Sequence, residues 1–287
     1  MMKKMFLTAA ALLFLFSLYA KESLERYSSS YEGLPLKSIT RFDESGKNIA
    51  TRFVPPENFE RVKVDEKSFG AFLRQFSLKE YGSPVLLYNG EKKGRNVHVS
   101  VFDMPLLKVD LIQCADAVIK LRAEYLYEQK RYSEIKFNIT NGMTVPFSRY
   151  ADGERVIVSG NKTEWKGGYR RGYSRDVFEE YLKFIYMYAG TYSLSQEAKK
   201  KSVADIEIGD FFIYGASPGH VVLVLDIAQN PKTGQKVMLL GQSYMPSQEF
   251  HVLKSGEKIS PWYTVEDEIL YTPEWTFEKG SLMEFAE

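Results

Sequence analysis

Apolar positions along the chain follow three patterns. An almost unbroken run from Met5 to Leu18 sits behind Lys3 and Lys4 and ahead of Ala20. A run that short is the pattern of a cleaved secretory signal over residues 1–20, not of a membrane span. Helical spacing governs 66–78, 110–132 and 174–194. In "DLIQCADAVIKLRAEYLYEQKRY" Leu111, Cys114, Val118, Leu121 and Tyr125 fall on one face. Asp110 is its expected N-cap, and Gln113 three residues later completes a capping-box pattern. Ser174 caps the third stretch, which is expected to stop near Gly190. Continuous apolar runs at 208–214, 220–228, 236–242 and 249–254 predict strands, and "SPVLLYNG" with "RNVHVSVFDM" predicts a hairpin joined by "EKKG". A hairpin, then helices, then an antiparallel sheet is an α+β order. Residues 21–60, punctuated by "SSSYEGLPL" and "FVPPENF", read as an irregular arm, leaving 61–287 as one α+β domain.

Composition narrows the classes. Lys and Arg total 38 against 37 Asp and Glu, a formal charge of +1, so no global field favours nucleic acid. No second long apolar run occurs, so no integral membrane span is expected after signal removal. The protein is expected to be exported, to a periplasmic or extracellular location. Nineteen Tyr and nineteen Phe suffice for an aromatic core. One cysteine excludes an internal disulfide framework. Three scattered histidines offer no metal-ligand spacing, and no glycine pattern cradles a phosphate or dinucleotide, so no metal or cofactor is expected. A G-x-S-x-G elbow is also missing.

Cys114 and His220 remain as candidate chemistry. Thiol attack on an amide needs the sulfur, an adjacent base and a group that orients the base. Cys114 lies in or just past the first turn of the best helix, where free N–H groups favour negative charge. His220 opens a strand in "GDFFIYGASPGHVVLVLDIAQ", where Asp210 is expected to fix the turn into its own strand, 208–214. A hairpin midpoint near residue 232 places His220 opposite residue 244, so that Gln242 or Tyr244 shares its face; a slipped register substitutes Ser243. Plainer readings stand beside these. Cys114 also fits a small buried hydrophobe, His220 a turn closure, and Gln242 a backbone partner. His98 and His251 alternate with apolar neighbours and read as surface histidines. Trp165, Tyr169 and Tyr173, with Arg170 and Arg171, suit a sugar or anionic polymer, or form a solvated glycine-rich loop.

A cysteine near a helix start, then "GD-strand-GH-strand" and a polar residue on the next strand, resembles papain-like cell-wall amidases of the NlpC and CHAP groups. The match runs from Cys114 to about Tyr244, with Gln113-Cys114-Ala115 replacing the usual Asp-Cys-Ser/Gly. Over most of its length the chain is similar to a bacterial domain of unknown function numbered 4846, through "QCADAVIKLRAEYLY", "YAGTYSLSQE", "GDFFIYGASPGHVVLVLD", "QSYMPSQEFHVL" and "TPEWTF". The amidase resemblance implies a papain-like core, a helix packed on an antiparallel sheet. It implies Cys114 as nucleophile, His220 as base, Gln242 as orienting group, and a peptide or peptidoglycan-like substrate. The competing class is a non-catalytic envelope binding or assembly domain on the same fold.

Overall fold

The computed structural model describes residues 42–160, 162–257 and 260–286. The signal expected at 1–20 and the arm residues 21–41 lie outside the described residues. Nine strands form one antiparallel sheet: β1 Glu60–Arg61, β2 His98–Val101, β3 Lys199–Lys200, β4 Phe211–Tyr214, β5 His220–Gln229, β6 Lys236–Gln242, β7 His251–Leu253, β8 Tyr263–Thr264 and β9 Leu282–Glu284. Their order is β2-β7-β6-β5-β4-β9-β3, with β1 also paired to β5 and β8 to β6. Six helices accompany them among the described residues: α1 Ile49–Arg52, α2 Phe69–Gln75, α3 Cys114–Glu128, α4 Phe147–Ala151, α5 Arg175–Tyr188 and α6 Thr191–Glu197. The α+β class holds.

Both faces of the sheet are covered. Leu223, Leu225, Val237 and Leu239 join the helical core of Val118, Leu121 and Ile185. Val222, Val224, Met238 and Leu240 meet a second layer containing Tyr263, Trp275, Phe277 and Leu282. A strand buried on both sides needs no polar face, which is why β5 reads as a continuous apolar run.

Local expectations shift in four places. The long helix starts at Cys114, not at Asp110; Gln113 is its N-cap, and its backbone N–H donates to Asp116 Oδ2 at 3.0 Å. Asp110 is drawn away because its Oδ1 accepts from the Ser247 N–H at 2.7 Å and from Gln113 Nε2 at 3.1 Å. Residues 174–194 divide into α5 and α6, separated at Ala189 and Gly190. The expected 83–104 hairpin does not form as such. A tight turn does close within 85–93, where the Leu87 N–H donates to Glu91 and the Lys93 N–H to Val85. Leu86 and Tyr88, however, exchange backbone bonds with Glu249 and Ser247, and Val101 of β2 pairs with His251 of β7, so the two expected strands pair with distant partners and not with each other. Within the expected arm, residues 42–60 contribute α1, whose Ile49 and Arg52 are buried, and Glu60 of β1 pairs with Gln229.

One irregularity governs the geometry of the site. The β5–β6 register runs from Lys236↔Gln229 to Leu239↔Asp226, then resumes at Leu240↔Val224 and Gly241↔Leu223, so Leu225 is an extra residue on β5. Such a β-bulge flips the faces beyond it relative to the uninterrupted ladder. Asp226, fully buried beside it, accepts from Arg61 Nε at 2.6 Å and Arg74 Nε at 2.7 Å. Opposite it, Gly241 leaves room for the displaced chain: a Cβ there would lie 2.7 Å from both the Leu225 and Phe250 side chains.

Candidate functional site

The start of α3 fixes the sulfur. Cys114 is the first helical residue rather than the fourth, at the end where unpaired N–H groups and the helix dipole favour an anion. The N–H groups of Ala115 and Val221, with that of Cys114 itself, act to stabilise a thiolate. Burial outweighs them, and with the nearby Asp116 carboxyl it pushes the thiol up to about 12. The sulfur therefore rests as a neutral thiol.

His220 is set by the loop before it. A Cβ on Gly219 would lie 2.3 Å from Thr191 Oγ1, and one on Gly215 would lie 1.9 Å from Ser195 Oγ. Only glycine lets the "GASPG" segment lie this close to α6, where Thr191 Oγ1 donates to the Ala216 carbonyl at 3.0 Å. The imidazole emerges among Tyr244, Trp275 and Phe277, at ring separations of 4.8, 5.5 and 5.9 Å. Burial pushes it down to about 4, against the opposing hydrogen bond to Gln242, so the ring is neutral at pH 7.

His220 Nε2 and Gln242 Oε1 are 2.7 Å apart. The bulge makes this contact. Without it, the Lys236↔Gln229 register carries His220 opposite Met245 and leaves Ser243 on its face; with it, Gly241↔Leu223 carries His220 opposite Tyr244 and brings Gln242 to its side. Gln242 Nε2 in turn donates to Glu274 Oε2 at 2.6 Å, and Lys93 Nζ donates to Glu274 Oε1 at 2.8 Å. Sequence reasoning missed Lys93 and Glu274. Both lie far from the strand pair in the chain, and only "TPEWTF" marked the latter's segment.

Sulfur and imidazole share no hydrogen bond among the described residues: Cys114 packs into the helical core, whereas the His220 ring lies among Tyr244, Trp275 and Phe277 of the second layer, on the other face of the sheet. The Val221 N–H, one residue along β5 from His220, is among the groups that favour a thiolate at Cys114. The Tyr244 ring lies against His220, and its hydroxyl is pushed up to about 12, mainly by burial and then by the Glu274 carboxylate. Cys114 is 6 % exposed and His220 1 %.

The remaining candidates lie elsewhere. Trp165 sits beneath Arg149 at 3.9 Å, Tyr169 faces Arg155 at 5.5 Å, and Tyr173 stacks on Tyr132 at 4.4 Å. Among the described residues no hydrogen bond, ion pair or ring contact joins this loop to Cys114, His220 or Gln242. His251, read as a surface residue, is fully buried, with Nδ1 2.8 Å from the Glu249 carbonyl and its pKa pushed down to about 3 by burial. His98, also read as surface, is half-buried with Nε2 3.1 Å from the Ser83 carbonyl. Both expectations fail because the second layer covers the sheet face that alternation assigned to water. Asp210 does fix its turn, accepting from the Glu207 N–H at 2.7 Å. A cavity of about 380 Å³ opens between α3 and α5, lined by Lys120, Glu124, Arg175 and Tyr186; neither Cys114 nor His220 borders it. No cluster of three or more metal-ligating side chains occurs among the described residues, nor any helix long and apolar enough to cross a membrane.

Asp116 gives the site a pH signature. Burial pushes its carboxyl up to about 7, against the Gln113 N–H that stabilises the anion. A folded-state value above the unfolded one means stability falls as pH rises from about 4 to about 7. Asp116→Asn keeps an oxygen for the Gln113 N–H and removes the titration. Its stability relative to the wild type is expected to rise by roughly 2–3 kcal/mol between pH 5 and pH 8, read from urea midpoints. A difference independent of pH would contradict this.

The profile of a family described as a domain of unknown function (4846) matches residues 49–284. No curated protein and no solved structure matches the chain.

Proposed function

The chain belongs to the family described as a domain of unknown function (4846), and on that premise we propose a thiol hydrolase of amide bonds with a papain-like core. Cys114 is the nucleophile, His220 the base and Gln242 the group that orients the base. The observation that carries this reading is an imidazole held by Gln242 at 2.7 Å on β5, the strand that packs against the helix whose first residue is Cys114. In the reaction the Cys114 Sγ–H proton passes to His220 as sulfur bonds to the carbonyl carbon. The resulting oxyanion is met by N–H groups at the start of α3. Collapse breaks the C–N bond, and His220 returns the proton to the departing amine. Water then hydrolyses the thioester, with His220 again as base. The substrate class is a peptide, with cell-wall peptide favoured by the export signal expected at residues 1–20 and by the resemblance to cell-wall amidases.

The burial of Cys114 and His220 favours a second reading, a non-catalytic binding or envelope-assembly domain on the same fold. Incubation of the protein with purified peptidoglycan, followed by mass spectrometry of released fragments, separates the two. The hydrolase releases new amine and carboxyl ends; the binding domain sediments with the polymer and releases nothing.

A further inference from the structure

The hydrolase needs a particular tautomer of His220, and we infer that Glu274 sets it. Lys93 and Glu274 form an ion pair of 2.8 Å with side chains 8 % and 3 % exposed, and Arg95 Nη1 lies 3.6 Å from the same carboxylate oxygen. An ionised carboxylate accepts hydrogen bonds and donates none. The Gln242 atom 2.6 Å from Glu274 Oε2 is therefore the amide nitrogen, an assignment that shape alone does not make. The opposite end of that amide, its oxygen, faces His220 Nε2 at 2.7 Å. A carbonyl oxygen also only accepts, so Nε2 carries the proton and Nδ1 keeps the lone pair.

A charge two hydrogen bonds away thus selects the basic nitrogen of His220. Without it the Gln242 amide is free to turn over. Its NH₂ then donates to Nε2, the ring proton moves to Nδ1, and that nitrogen can no longer take a proton from sulfur. Glu274 is a positioning residue, itself held by Lys93 and by the Arg95 guanidinium, which also donates to the Pro273 carbonyl at 2.9 Å. Its effect on rate rests on the hydrolase reading; its effect on the tautomer does not.

Long-range ¹H–¹⁵N correlation of histidine-labelled protein at pH 7 tests this, the His220 signals being identified by their loss in His220→Gln. The wild type is expected to show a pyrrole-type Nε2 and a pyridine-type Nδ1. Glu274→Gln is nearly isosteric but donates as well as accepts, so it is expected to give a tautomer mixture. On a cleavable peptide it is expected to lower kcat by about 10- to 100-fold with KM little changed. A pyrrole-type Nδ1 in the wild type, or an unaltered tautomer in Glu274→Gln, overturns the assignment. The wild-type spectrum decides it even if the variant fails to fold. Wild-type protein that shows the expected tautomer but cleaves nothing would count against the hydrolase and leave the Glu274 assignment standing.

Discussion

Cys114→Ala is expected to abolish peptide release while leaving the fold intact. Removing the nucleophile of a thiol or serine hydrolase costs at least about 10⁴-fold in turnover, because binding and oxyanion contacts alone supply only the residual rate. Loss of one buried sulfur removes a small apolar group at the end of α3, and the resulting change in stability should stay near 1 kcal/mol. The two effects therefore separate. A turnover loss of that size with an almost unchanged urea midpoint identifies a nucleophile. Equal fragment release from wild type and variant would take Cys114 out of the mechanism, and a stability change with no activity in either protein would fit the small-hydrophobe reading.

Asp226→Asn carries the largest expected stability cost. The carboxylate is fully buried and receives Arg61 and Arg74, at 2.6 and 2.7 Å. Neutralising it leaves two guanidinium groups facing an amide, Arg74 among them almost wholly buried. Breaking a buried pair from one side typically costs about 3–5 kcal/mol, since the remaining charge stays desolvated. The position adds a second consequence. Asp226 adjoins the Leu225 bulge that brings Gln242 to the His220 face, so weakening it should loosen that register as well. We expect a lower urea midpoint together with perturbed His220 resonances. A change below about 1 kcal/mol would show that the arginines find other partners and that the bulge is held by packing alone.

The elements that carry Cys114 and His220 were legible in the sequence for identifiable reasons. A cysteine at the head of a strongly periodic helix and a histidine after Pro218-Gly219 are local signals, and the strand runs made β4, β5 and β6 plain. The Gln242 contact was reached from a hairpin midpoint near residue 232, although the register near the turn differs from that at the His220 end by one residue. Alternation cannot show where a ladder gains a residue. The burial of His98 and His251 was hidden because alternation divides a strand into two faces without saying that both are covered. The hairpin at 83–104 and the arm residues 42–60 were misread because their partners, residues 247–251 and Gln229, lie far along the chain. Glu274 and Lys93 were silent for the same reason: a hydrogen-bond chain assembled from three separate segments leaves no local spacing to read.

In the resting protein the thiol and the imidazole are both neutral near pH 7, the first raised and the second lowered by burial. The pair must then work by proton transfer at the moment of attack rather than as a preformed thiolate–imidazolium pair. The rate of Cys114 alkylation by iodoacetamide, compared at pH 7 between wild type and His220→Ala, tests this coupling without assuming any substrate. Dependence of the sulfur's reactivity on the His220 ring predicts labelling at least about tenfold slower in the variant. Equal rates in the two proteins would mean that the ring has no hold on the sulfur, and the hydrolase would fall with it.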